Sequence, residues 1–117
     1  MGRYSLTYNR TETDVLTFNV SPSEPINLVG AKLFFTVKTA PDADETDATA
    51  VIQKEITTFT GTGSAFSATF AITETDTDIA ARLYKYDVKL LDGDGNMYFV
   101  VEVDNFEIRN PITNRVA

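Results

Sequence analysis

The segment DGDGN, residues 92–96, carries the side chains of a calcium-binding loop. Ca²⁺ takes carboxylate and amide oxygens, and glycines allow the tight turn that brings alternate oxygens together. The helix–loop–helix calcium motif needs glycine at its sixth position and glutamate at its twelfth, whereas a count from the first aspartate places Met97 and Val103 there. Both flanking segments alternate with period two, which is typical of strands. The segment therefore predicts a hairpin turn and no metal site, with Gly93 and Gly95 supplying positive φ.

Other site chemistry is restricted by composition, because the chain has neither histidine nor cysteine. Histidine is the commonest general base and metal ligand, and cysteine is needed for disulfides and thiolate metal sites. Two carboxylates alone could hydrolyse a glycosidic bond. The acidic residues, however, lie mostly in loops or at outward strand positions such as Asp87 and Glu102. With no phosphate-binding glycine loop either, the sequence predicts no catalytic residue, no metal and no cofactor.

Length and charge limit the organisation of the chain and its partners. The 117 residues suit one domain spanning residues 1–117, and a hydrophobic fraction of 43% is typical of a packed globular protein. The net charge is −7 and the basic residues are not clustered, so nucleic acid is not an expected partner. No apolar run approaches the ~20 residues of a membrane-spanning helix, so no membrane association is expected.

Alternation of apolar and polar residues with period two recurs along most of the chain, at intervals of about ten residues. The pattern predicts an all-β fold, an immunoglobulin-like antiparallel β-sandwich of about seven to nine strands. Residues 61–64 are interpreted as the turn of a hairpin that joins residues 51–59 to residues 65–72. One short helical crossing is predicted at about residues 75–82, passing from one sheet edge to the other and capped by Thr73 or Thr75.

The same alternation assigns side chains to two faces. The residues assigned to the core include Phe35, Leu90, Phe99, Val101 and Val103. The large apolar residues left on the opposite side are Phe34, Leu91, Tyr98 and Val100. A joined apolar patch on a surface marks an interaction site. These four residues are therefore predicted to form an assembly surface, and the alternative is a tightly curved sheet covered by its own loops.

Two tyrosines are expected to have structural roles. Tyr84 and Tyr86 share their parity with Val88 and Leu90, so they are predicted to face inward, where a hydroxyl needs a partner. Their spacing from the helical crossing suits the tyrosine corner of immunoglobulin-like domains, in which the hydroxyl bonds back to the backbone upstream. Plain core packing is the alternative for both.

The chain resembles the immunoglobulin-like domains of tailed-phage and prophage structural proteins, in particular the N-terminal domain of baseplate upper proteins. The shared features are a charged turn at residues 10–14, a hydrophobic–Gly–Ala stretch at 28–31, Tyr-x-Tyr-Asp at 84–87, the Asp-Gly hairpin at 92–96 and Pro-Ile-Thr at 111–113. The first turn departs from the family because it reads RTETD and lacks the usual glycine.

The resemblance implies a non-enzymatic virion structural protein of the tail, the baseplate or a fibre-associated part, acting through protein–protein contacts. Its expected partners are copies of itself in a homo-oligomer, other tail or baseplate proteins, or both. The expected location is the virion, after synthesis in the cytoplasm of a bacterial host. The alternative function is an immunoglobulin-like binding module that recognises a glycan or a host-surface ligand.

Overall fold

The structure, a computed structural model, describes residues 5–39 and 50–111. Its elements are β1 (Leu6–Asn9), β2 (Asp14–Val20), β3 (Lys32–Lys38), β4 (Ile52–Ile56), β5 (Thr60–Thr62), β6 (Ala65–Ile72), α1 (Glu74–Thr77), β7 (Arg82–Leu91) and β8 (Met97–Arg109). A large sheet has the strand order β1-β8-β7-β3-β4, and a small sheet has the order β2-β6-β5.

The two sheets form an all-β, immunoglobulin-like sandwich, which confirms the predicted fold class. The core between them is aromatic at its centre, where the Phe35 ring contacts Phe70 of the small sheet and both Tyr86 and Phe106 of the large sheet. One strand pair differs from the antiparallel expectation, because β1 runs parallel to β8. These two strands are not neighbours in sequence, so no hairpin requires them to run in opposite directions.

The hairpin turn predicted at residues 61–64 is confirmed, because Thr62 pairs with Ala65 across it, but the strand before the turn is β5 and not residues 51–59. The alternating segment divides into β4, which pairs with β3 in the large sheet, and β5, which pairs with β6 in the small sheet. Ile52 and Ile56 are buried at the edge of the large sheet. The chain then crosses to the small sheet, where the Phe59 ring meets Phe66 edge-on at 5.7 Å. Alternation alone does not mark the crossing, because both halves have the same period.

The helical crossing is confirmed in place but is shorter than predicted. Thr73 is the N-cap: its hydroxyl accepts the Asp76 backbone amide, and the Asp76 carboxylate accepts the Thr73 amide. The helix joins β6 of the small sheet to β7 of the large one. Burial raises the pKa of Asp76, but hydrogen bonds from Lys54 and Thr73 outweigh it, so the pKa lies below its usual value. The Lys54 ammonium lies 2.7 Å from that carboxylate and ties β4 to the helix.

Tyr84 forms the tyrosine corner, which was one of its two predicted roles, the other being plain core packing. Its hydroxyl donates a 2.7 Å hydrogen bond to the carbonyl of Ala80, four residues upstream in the connection between the sheets. Burial raises the pKa of this hydroxyl, and the positive charge of Arg82 lowers it by a smaller amount. Tyr86, by contrast, lies deep in the core against Phe35 and Phe106.

The charged first turn docks against the helix. Arg10 donates to the Asp78 carboxylate at 2.7 Å, and the buried Thr77 hydroxyl donates to the Glu12 carbonyl at 2.8 Å. Within this turn Thr11 has a φ of +69°. A β-branched residue is strained in that region, which glycine occupies freely. The turn therefore holds a β-branched residue at a position that glycine would occupy without strain.

We expect Thr11→Gly to raise the free energy of unfolding by up to about 1 kcal/mol. The substitution relieves a left-handed strain of about 1–2 kcal/mol and adds roughly 0.5–1 kcal/mol of backbone entropy cost. Thr13→Gly is the matched control, because Thr13 is exposed in the same turn and is not among the described residues with positive φ. Urea denaturation should show Thr11→Gly above the parent and Thr13→Gly below it, and the opposite order would contradict the strain at Thr11.

Candidate functional site

Two β-bulges in β8 decide which side chains reach the outer face of the large sheet. The register with β7 pairs Tyr86 with Asp104, Val88 with Val101 and then Lys89 with Phe99, so β8 holds an extra residue at each step. Each extra residue reverses the alternation of side chains along the strand. The prediction that Phe99 and Val103 face inward is wrong, because their side chains are 55% and 50% exposed. Val101 is buried as predicted.

An apolar cluster therefore lies on the outer face of the large sheet. Phe34 of β3 stands opposite Lys89, which stands opposite Phe99, and in the next row Leu91 stands opposite Met97. Met97 is half exposed, whereas Phe34 and Leu91 are partly covered. We call these four residues the outer patch: Phe34, Leu91, Met97 and Phe99. Two of them were predicted from the sequence and two were missed.

The other two residues of the predicted assembly surface do not join the outer patch. Tyr98 stands opposite the buried Leu90, so it lies on the core-facing side, near the hairpin. Its hydroxyl donates to the Asp92 carboxylate at 3.4 Å. Val100 is partly buried and packs against the core cluster. Both assignments follow from the bulges, which exchange the two faces relative to uninterrupted alternation.

The charges around the outer patch include an excess of lysines in a chain whose net charge is −7, although Glu55 stands opposite Phe34 and Asp87 is an outward residue of β7. Lysines occupy outward positions of the two central strands, and these are Lys32 and Lys38 on β3 and Lys85 and Lys89 on β7. The Lys89 ammonium lies 5.1 Å from the centroid of the Phe99 ring, within the range of a cation–π contact. The fifth lysine of the chain, Lys54, is bound to the helix instead. The outer face of the large sheet thus combines the apolar outer patch with four of the five lysines.

The segment at residues 92–96 forms the hairpin turn between β7 and β8, as predicted. The Asp92 amide donates to the Asn96 carbonyl at 2.9 Å, and the Gly95 amide donates to the Asp92 carbonyl at 3.2 Å. The Asp92 carboxylate accepts the backbone amides of Asp94 and Asn96 at 2.9 and 2.8 Å. The Asn96 amide, followed by further hydrogen bonds from Asp94 and Tyr98, holds the pKa of Asp92 below its usual value. The side chain that resembled a metal ligand is the internal acceptor of the turn.

The two glycines of the turn have different roles. Gly95 has a φ of +89°, as expected for a residue in the left-handed region, and the space around it is open. Gly93 is absent from the positive-φ residues, which corrects the prediction for it. A Cβ at Gly93 would overlap the Val29 carbonyl oxygen and the side chain of Asn27. The Gly93 amide donates to the Asn27 carbonyl at 2.8 Å, so the turn packs directly on the segment that leads to β3.

Within residues 5–39 and 50–111, no group of three or more acidic, histidine or cysteine side chains is placed to hold a metal ion. No helix among these residues is long and apolar enough to cross a membrane. An open depression of about 280 Å³ lies between β2, β5 and β6. Its lining residues are Asn19, Val20, Ser21, Thr60, Ala65, Phe66 and Ser67, none of which is charged.

The fold and its surfaces define an immunoglobulin-like β-sandwich domain. No protein-family model matches the chain, and no curated protein shows significant similarity to it. Among solved structures, the chain is similar to the crystal structure of CopC from Methylosinus trichosporium OB3b, with 11% sequence identity and a TM-score of 0.42. The likeness covers 96% of this chain and 89% of that one. A similarity at this level carries no argument about function.

We expect Gly93→Ala to lower the free energy of unfolding by about 1–3 kcal/mol, the usual cost of overpacking. Gly95→Asn should cost little, because asparagine tolerates the left-handed conformation and the position is open. The pair is matched, since both substitutions replace a glycine of one turn. Chemical denaturation of the two variants checks the order, and equal losses would contradict the packing role of Gly93.

We expect Asp92→Asn to lower stability at neutral pH and to weaken the acid dependence of unfolding. The folded-state pKa of Asp92 is below its unfolded value of about 3.9, so the stabilisation is present above about pH 4 and lost as the pH falls through the folded-state pKa. The difference in melting temperature between parent and variant should therefore shrink on acidification. Asp76, whose pKa is also lowered, remains in both proteins and leaves part of the acid dependence in place.

Asp94→Asn is the control, because the Asp94 carboxylate accepts a side-chain amide from Asn27 at 3.2 Å rather than backbone amides of the turn. Calcium or a chelator should leave the melting temperature of the parent unchanged. A calcium-dependent rise that Asp92→Asn abolishes would show instead that the turn binds metal.

Proposed function

We propose that the protein is a non-enzymatic structural protein of a phage or prophage particle, part of its tail, baseplate or fibres, and that it works through contacts with other protein chains. The observation that supports protein contacts is the outer patch. The particle setting rests on the resemblance of the sequence to tail and baseplate domains. The chain also has no histidine or cysteine to supply a nucleophile–base pair.

The composition of the outer patch supports a protein contact. Phe99 and Met97 are each at least half exposed, and they adjoin Phe34 and Leu91 across neighbouring strands. Aromatic residues and methionine are enriched in protein interfaces relative to the rest of the surface. A sheet face with apolar side chains at its centre and charged side chains around them has the arrangement of an interface core and rim.

Charge indicates what kind of partner surface fits. The four lysines of β3 and β7 make this face more basic than the chain as a whole. Complementary potentials favour an acidic partner surface that also offers apolar side chains. We therefore propose that this face binds an acidic neighbouring protein of the particle.

The experiment uses particles induced from a lysogen that encodes the chain. Mass spectrometry of purified particles should detect the parent chain, and immunogold labelling should place it on the tail. The double variant Met97→Ser/Phe99→Ser should fold normally but be depleted from particles by about tenfold or more, as for loss of about 1.4 kcal/mol or more of contact energy. Val29→Ser is the control, because Val29 is 82% exposed and lies outside the outer patch.

Two results would contradict the proposal separately. Absence of the expressed parent chain from the particles would overturn the particle setting. Incorporation of the double variant at the parent level would overturn the role of the outer patch and leave the setting intact.

A further inference from the structure

Within residues 5–39 and 50–111, four strands form the edges of the two sheets, and three of them carry features that discourage pairing with another chain. β1 and β5 are short, with four and three residues. β4 has Lys54 and Glu55 at its centre. Short length and charge are the usual protections of an exposed edge. β2 is less protected: it is seven residues long, its one charged residue is Asp14 at its start, it contains no lysine, arginine or proline, and it pairs with β6 without a bulge.

The backbone groups of β2 on the open side are identified by two contacts. The Val15 amide donates to the Asp14 carboxylate rather than to β6. The hydroxyls of Thr17 and Thr69 lie 2.9 Å apart, as expected for a close, non-hydrogen-bonded pair of an antiparallel ladder. Alternation then directs the amide and carbonyl of Thr17 and of Asn19 to the open edge. Both side chains are exposed on the outer face of the small sheet.

We propose that a second copy of this chain binds this edge, with β2 pairing antiparallel to β2 of the second copy about a two-fold axis. The pairing joins the two small sheets into one continuous sheet. Thr17 meets Thr17 of the second copy, and Val15 meets Asn19, whose carbonyl then accepts the Val15 amide in place of the Asp14 carboxylate. The side chain of Val15, 64% exposed in the single chain, is then covered by the second copy.

Charge favours this edge for contact between two copies that each carry −7. The three strands of the small sheet contain a single charged residue, Asp14. Its carboxylate already accepts the Tyr8 hydroxyl at 2.8 Å and the Val15 amide at 2.7 Å. In the two-fold register each Asp14 lies opposite Val20, so the two carboxylates are roughly 20 Å apart at about 3.3 Å per residue. That separation exceeds the screening length of about 8 Å.

Sedimentation velocity of the full chain over a concentration series tests the pairing. The parent should show a concentration-dependent dimer. Thr17→Pro should weaken dimerisation by about tenfold or more, because proline removes the edge amide and cannot donate to the second copy. Thr17→Val is the matched control and should dimerise like the parent. Both substitutions remove the hydroxyl contact with Thr69, but only proline removes the amide.

A parent that stays monomeric at every concentration would overturn the inference, as would equal dimerisation of Thr17→Pro and Thr17→Val. Loss of the dimer in Met97→Ser/Phe99→Ser would place the self-contact on the outer patch and would also overturn it. If Thr17→Pro does not fold, hydrogen exchange at the Thr17 and Asn19 amides of the parent decides. Exchange should slow as the concentration rises, and unchanged exchange would contradict pairing. Pairing at β2 does not depend on the particle setting, so the two proposals fail independently.

Discussion

The register between β7 and β8 is the constraint on which the surfaces of this protein depend. Asp92 begins that register, because its carboxylate holds the backbone of the turn from the inside and its own backbone closes the hairpin. The two bulges in β8 then alter the register twice along one strand. Phe99 and Met97 are placed on the outer face by the hairpin register, which pairs Met97 with Leu91, and the bulge between Phe99 and Val101 lets Val101 face the core. Which residue of β8 stands opposite Lys89 therefore determines whether the outer face is apolar.

Much of the fold is readable from the sequence, since alternation is a direct result of strand geometry. The helix cap at Thr73 and the hairpin at residues 92–96 were also predictable, because turn and cap chemistry depends on a few adjacent residues. The division of residues 51–59 between two sheets was not, because period two is the same on either side of a crossing. The tyrosine corner was one of two open roles, and only the distance from Tyr84 to Ala80 decides between them.

The outer patch shows where counting along a strand fails. Phe34 and Leu91 lie on β3 and β7, which pair without a register shift. Simple alternation therefore assigns both side chains to the correct face of the sheet. Met97 and Phe99 are separated from the buried Val101 by a bulge, so counting back from Val101 assigns them to the wrong face. One signal was present in the sequence: Val101 and Phe106 are both core residues, although their spacing is odd. Within a single strand such a change of parity requires an extra residue, so a long strand with core residues of both parities indicates a bulge.

The parallel pairing of the first and last strands affects how the domain responds to force. Leu6 pairs with Phe106 and Asn9 with Arg109, so the chain enters β1 at one end of the ladder and leaves β8 at the other. Tension between the segment before Leu6 and the segment after Arg109 pulls the two strands past each other along their length. The hydrogen bonds of the ladder are then loaded together in shear, whereas a hairpin pulled at its open end loses them one at a time. The sandwich is in this respect a mechanical clamp as well as a surface for contacts.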